Sequence, residues 1–100
     1  MGATFSSRRY EGALSREAIE ARWKEDVAGS LFESGHSYSG DIGMLGAKIA
    51  KWVDKDFDSL FKAEDWLVAN HEKYEPAIAV SYIESTTKAK MWVIGGWCSS

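Results

Sequence analysis

Two strand-like runs in the last quarter of the chain constrain its fold more than any other feature. Ile78, Val80 and Tyr82 alternate with Ala77, Ala79 and Ser81 in the first run. In the second, residues 89–97, Met91 and Val93 fall on one side and Trp92 and Ile94 on the other. Glu84, Ser85, Thr86, Thr87 and Lys88 separate the two runs, a length suited to a hairpin. An antiparallel pair is therefore expected, and the rest of the chain has to complete and cover a sheet.

Upstream, the apolar period changes from two to about four. Ile19, Trp23, Val27 and Leu31 recur every fourth residue with Ala28 and Phe32 alongside, while Glu17, Glu20, Arg22, Lys24, Glu25 and Asp26 fall elsewhere. Ser15 is a good N-cap, Leu14 is placed to staple against Ile19, and Gly35 follows as a left-handed stop after about Glu33. A second helix is expected from Asp58 or Ser59 to about Tyr74, with Leu60, Ala63, Leu67 and Tyr74 on one face and Pro76 closing it.

Residues 4–10 form a first strand whose alternation is interrupted by Arg8 and Arg9, which suits an edge. Residues 42–53 fit a helix through Ile42, Leu45, Ile49 and Trp52, but the glycines and the downstream layout favour a strand. The order β-α-β-α-β-β predicts a single α+β domain over 1–100. Its mostly antiparallel sheet would have about four strands, with two helices on one face.

At 100 residues and 11.1 kDa there is room for one core. A composition 45% hydrophobic and 27% charged with one proline excludes a disordered chain. Five Trp, four Tyr and four Phe supply enough apolar area for folding without staples, so no metal, cofactor or disulfide is expected of the lone Cys98. The start lacks a secretory pattern and no run reaches the roughly 18 apolar residues of a membrane span, so a cytoplasmic protein with no membrane partner is expected. Met1, Gly2, Ala3, Thr4, Phe5 and Ser6 match the loosely defined myristoylation pattern. The net charge of −3 and the even spread of twelve basic residues argue against duplex nucleic acid as partner. Acidic residues gather from Asp54 to Glu75, among them Asp54, Asp56 and Asp58, and give a face that is either solvated or suited to a basic partner.

The most unusual segment runs from Gly35 to Gly46 and contains His36, Ser37, Tyr38, Ser39 and Asp41. Its glycines would let main-chain N–H groups converge on an anion, with the hydroxyls and imidazole adding hydrogen bonds. It has neither the spacing nor the lysine of a phosphate-binding loop, and a glycine-capped connection explains the same residues. A small enzyme would draw on His36 and Asp41, with Ser37, Ser39 or Cys98 as nucleophile, but neighbours in sequence do not make a triad. His71, at helical spacing from Ala63 and Leu67, reads as a packed histidine. Asp54, Asp56 and Asp58 copy the opening of a calcium loop, yet Ser59 stands where that loop needs glycine. Two histidines and one cysteine lack structural-zinc spacing. Trp92 and Trp97 offer an aromatic anchor if either is exposed.

As a whole, with its acidic balance, aromatic richness and idiosyncratic segments at 35–43 and 95–100, the chain resembles small accessory proteins of phages, including anti-CRISPR proteins. That resemblance implies a protein that works by binding, inhibiting a host defence protein in the bacterial cytoplasm. The expectation is a non-enzymatic inhibitor whose partner is another protein. The alternative is sequestration of a small nucleotide or anion by the 35–46 loop, at an interface in a homo-oligomer.

Overall fold

A computed structural model describes residues 3–34, 45–72 and 75–99. Along the chain run β1 (Ala3–Glu11), α1 (Arg16–Ser34), β2 (Ile49–Phe57), α2 (Leu60–Asn70), β3 (Ala77–Ile83) and β4 (Lys90–Ser99). These strands form one sheet in the order β1-β4-β3-β2. β4 is antiparallel to both β1 and β3, while β2 and β3 are parallel. The mostly antiparallel sheet, the two helices and the order β-α-β-α-β-β are those expected from the sequence.

The helices, however, cover opposite faces rather than one. Ile19, Trp23 and Val27 of α1 pack with Tyr10, Ala77, Ala79, Trp92, Ile94 and Cys98, whereas Ala63 and Leu67 of α2 pack with Ile78, Val80, Tyr82 and Val93. The handedness of crossovers gives the reason. Parallel strands are joined almost always by right-handed connections. The chain crosses the sheet from β1 to β2 in one sense and returns from β2 to β3 in the other, so right-handedness puts α1 and α2 on opposite sides. β3 is accordingly buried at every residue from Ala77 to Tyr82.

Local signals set the helix starts. Ser15 Oγ accepts from the Ala18 N–H at 3.1 Å, and Ser59 Oγ accepts from the Lys62 N–H at 3.3 Å. Leu14 packs against the cluster that contains Ile19, as a staple should. Trp23 is fully buried and its indole N–H donates to the Gly46 carbonyl at 3.1 Å, which ties α1 to the segment before β2.

Two boundaries differ from expectation by more than two residues. The second strand is Ile49–Phe57, later than 42–53. Helix α2 ends at Asn70 rather than Tyr74, well before Pro76. The cause is His71, which leaves the helix in an extended conformation while its N–H still donates to the Leu67 carbonyl. Its imidazole is needed elsewhere: Nδ1 accepts the Trp97 backbone N–H at 3.0 Å, and Nε2 lies 3.0 Å from the Pro76 carbonyl and 3.2 Å from that of Glu75. Because Nδ1 is an acceptor, the proton sits on Nε2. The ring thus continues the sheet's hydrogen bonding beyond the start of β3, where Pro76 has no N–H to give.

Candidate functional site

β1, β2 and β3 run in the same direction, so Glu11, Phe57 and Ile83 end along one side of the sheet, where β4 and both helices begin. In open α/β sheets ligands bind outside the carboxyl ends of the strands. Buried Ser81 organises one half of this end. Its hydroxyl donates to Asp54 Oδ1 at 3.0 Å and accepts from the Asp56 N–H at 2.8 Å. The Asp56 backbone has a positive φ of 48°, within a register shift of the β2·β3 pairing between Val53 and Phe57. Lys90 Nζ completes the network, 2.8 Å from Asp54 Oδ1 and 3.5 Å from Asp56. Hydrogen bonds from Lys90 and then Ser81 hold the Asp54 carboxyl below its usual range, and the same bond from Asp54 pushes the Lys90 ammonium up.

Lys90 also lies 5.3 Å from the ring of Trp92. That indole meets Trp52 edge-on at 5.1 Å, and the Arg16 guanidinium sits 5.3 and 5.5 Å from the two rings. Asp54, Asp56 and Trp92 are therefore brought together, but as the partly exposed end of a core cluster. Trp92 itself is only 4% exposed and is no surface anchor. Asp58 stands apart, paired with Lys62 at 3.2 Å and largely in solvent. The acidic face is thus partly neutralised by its own lysines.

Beside this network an open groove of about 720 Å³ is lined by Glu11, Gly12, Ala13, Glu84, Thr87 and Met91, among others. Glu11 and Glu84 on its walls outnumber Lys90, whose ammonium is already paired with Asp54 and Asp56, so the groove is a poor receptor for a phosphate.

Trp97 lies on the α2 side. Its indole N–H donates to the Val68 carbonyl at 3.1 Å, and Phe5 meets the ring edge-on at 5.8 Å. It lies within β4 and is half-buried. On the same flank of α2 stand Phe61, 74% exposed, and Val68, 40% exposed. Glu64 and Asp65 follow Phe61 by one helical turn, so the aromatic ring has acidic neighbours. The sequence signal for this strip was available: Phe61 and Val68 are apolar residues out of phase with Leu60, Ala63 and Leu67. Ser81, Lys90 and Arg16 carried no such signal, since only the strand pairing brings them to Asp54 and Trp92.

The remaining candidates are structural or lie outside the described residues. Cys98 is buried, with Sγ 3.6 Å from the Gly96 carbonyl, and both ring nitrogens of His71 are occupied. His36, Ser37, Tyr38, Ser39 and Asp41 lie outside the described residues. Among the described residues no group of His, Cys, Asp or Glu is arranged to hold a metal ion, and no helix is long and apolar enough to cross a membrane. No protein-family model, curated protein or solved structure matches this chain.

Proposed function

We propose that this protein is a non-enzymatic binding protein that acts by occupying the surface of another protein, an inhibitory contact of the type small phage accessory proteins make. The observation that carries the reading is the exposure of Phe61, with Val68 and Trp97 on the same flank of α2. A large aromatic held on a helix, with little conformational freedom to lose, is the side chain that anchors protein interfaces. Its acidic neighbours Glu64 and Asp65 fit a partner whose apolar pocket is rimmed by Lys or Arg.

The test is affinity capture from the host lysate with mass spectrometry of both proteins and small molecules, run in parallel with a Phe61→Asp variant of unchanged circular dichroism. A partner retained by the parent chain and lost by the variant supports the reading. Equal capture by both removes Phe61 from the interface. Recovery of a phosphate-bearing small molecule instead of a protein supports sequestration by the 35–46 loop.

A further inference from the structure

The two edges of the sheet are built differently. β2 is irregular, with register shifts after Ile49 and after Val53, and it carries Lys51, Asp54, Lys55 and Asp56. Bulges and charges of this kind keep an edge from pairing with another chain. β1 has neither device over its first half. It pairs with β4 through nine consecutive residues without a shift, and Ala3, Thr4, Phe5, Ser6 and Ser7 are uncharged.

The register shows which groups face outward. Just past the strand, the Gly12 N–H donates to the Lys90 carbonyl at 3.0 Å, so Gly12 and Lys90 are a hydrogen-bonded pair. In an antiparallel ladder such pairs alternate with non-hydrogen-bonded ones. Tyr10, Arg8, Ser6 and Thr4 therefore exchange bonds with β4, while Glu11, Arg9, Ser7, Phe5 and Ala3 turn their N–H and C=O groups away from it. Two observations agree. The Ser7 carbonyl accepts from the exposed Arg8 guanidinium at 3.0 Å, so it faces solvent. A Cβ on Gly95, the partner of Ser7, would lie 2.6 Å from Ser7 Cβ, the close approach of a non-hydrogen-bonded pair.

We propose that β1 pairs antiparallel with β1 of a second copy about a two-fold axis at Ser7, joining the two sheets into one of eight strands. Ser7 is the midpoint of the strand, so this register uses all nine residues. Ser7 meets Ser7 of the other copy, Phe5 meets Arg9, Thr4 meets Tyr10, Ser6 meets Arg8 and Ala3 meets Glu11. No like charges stand opposite, and each Arg9 reaches an aromatic ring. A register centred on Arg8 would oppose two guanidinium groups and use fewer residues. The odd-numbered residues that face outward are the ones this register pairs. In the monomer Arg8 holds the Ser7 carbonyl, and on pairing it yields that acceptor to the N–H of the other copy's Ser7. The dimer does not depend on Phe61 acting as an anchor, but it would present two such flanks on one face.

Sedimentation equilibrium from low micromolar concentration to the solubility limit tests the proposal. The parent chain should show a concentration-dependent monomer–dimer equilibrium. Ser7→Pro removes an outward N–H and no β1–β4 bond, so it should raise the dissociation constant about tenfold or more while the fold stays intact. Ser6→Pro, which removes a ladder bond, should instead unfold the strand. Ser7→Cys should form a disulfide-linked dimer on mild oxidation, because the two Cα atoms of that pair come within bridging distance, whereas Thr4→Cys should not. A parent chain that is monomeric throughout overturns the proposal. So does a dimer that Ser7→Pro leaves unchanged, and Thr4→Cys linking as readily as Ser7→Cys overturns the register. If Ser7→Pro fails to fold, the contrast between the two cysteine variants decides.

Discussion

The imidazole of His71 lies directly against Gly96, so closely that a Cβ there would come within 2.4 Å of the ring. The contact joins the end of α2 to β4 through one side chain that also bridges the Trp97 N–H and the Pro76 carbonyl. Gly96→Ala should displace the ring and break both bonds, at about 2–4 kcal/mol by the usual scale of overpacking plus lost buried hydrogen bonds. His71→Ala should cost a similar amount. The double variant should cost less than the two single losses added together, because both act through one contact. Urea unfolding of the three variants checks this, and simple additivity would refute the coupling.

Ser81 makes a comparable prediction for the network at the carboxyl end of the sheet. Its hydroxyl is buried and serves both Asp54 and the Asp56 N–H. Ser81→Ala leaves the Asp56 N–H without that acceptor and should destabilise by about 1–3 kcal/mol. The same variant should release Asp54 toward its ordinary carboxyl value of 3.8, since Ser81 is one of the groups holding it down. A depressed carboxyl stabilises the fold above its unfolded value and loses that contribution as the pH falls through the folded one. Stability of the parent should therefore decline below about pH 4, and Asp54→Asn should flatten that decline. Equal acid profiles would show that the Lys90 pairing contributes nothing to folding.

The hairpin between β3 and β4 is closed by a Lys88 N–H bond to the Glu84 carbonyl at 2.8 Å, with the Lys88 backbone at φ 60°. A lysine in the left-handed region is strained where glycine is not. Lys88→Gly should stabilise the protein by about 0.5–1 kcal/mol, raising its melting temperature by a few degrees. A drop in melting temperature would mean that the Lys88 side chain contributes more than its backbone costs.

Much of this fold was legible because local signals and tertiary packing agree. Ser15 and Ser59 cap the helices where the sequence placed caps, and Ala77–Ile83 pairs with β4 as the alternation required. What the sequence withheld depends on contacts distant along the chain. α2 stops at Asn70 because His71 is taken up by Trp97 and Pro76, and no helical period encodes that demand. Trp92 is an anchor only if exposed, and alternation tells which side a residue faces but not whether that side is covered. It becomes core once α1 lies over its face, and the single-face layout that left it open fails on crossover handedness. Phe61 was overlooked for the opposite reason, being apolar but off the packing face.

Tyr10 and Tyr82, buried beneath the helices, should respond in opposite ways to losing a hydroxyl. The Tyr10 hydroxyl donates to Asp26 Oδ2 at 2.5 Å, anchoring α1 to β1. Among the described residues the Tyr82 hydroxyl, on the α2 side, is buried with no partner at full hydrogen-bond geometry, although the Arg9 guanidinium lies near enough to favour its ionised form. Tyr10→Phe removes a bond to a carboxylate and should cost about 1.5–3 kcal/mol. Tyr82→Phe removes a buried polar atom that closes no well-formed hydrogen bond, so it should leave stability unchanged or raise it by up to about 1 kcal/mol. Alkaline pH separates the pair further. Burial pushes both phenols above their ordinary value of 10.0, and for Tyr10 the hydrogen bond to Asp26 and its charge add to the rise. A group whose folded value is raised stabilises the protein below its unfolded value and loses that contribution as the pH climbs past it. Unfolding by urea followed from pH 8 to pH 12 should therefore show constant stability to about pH 9–10 and a steep fall beyond. Each Tyr→Phe change should make that fall shallower, Tyr10→Phe by more. If Tyr82→Phe destabilises the fold as much as Tyr10→Phe, its hydroxyl has a partner in solution and the assignment of a buried orphan is wrong.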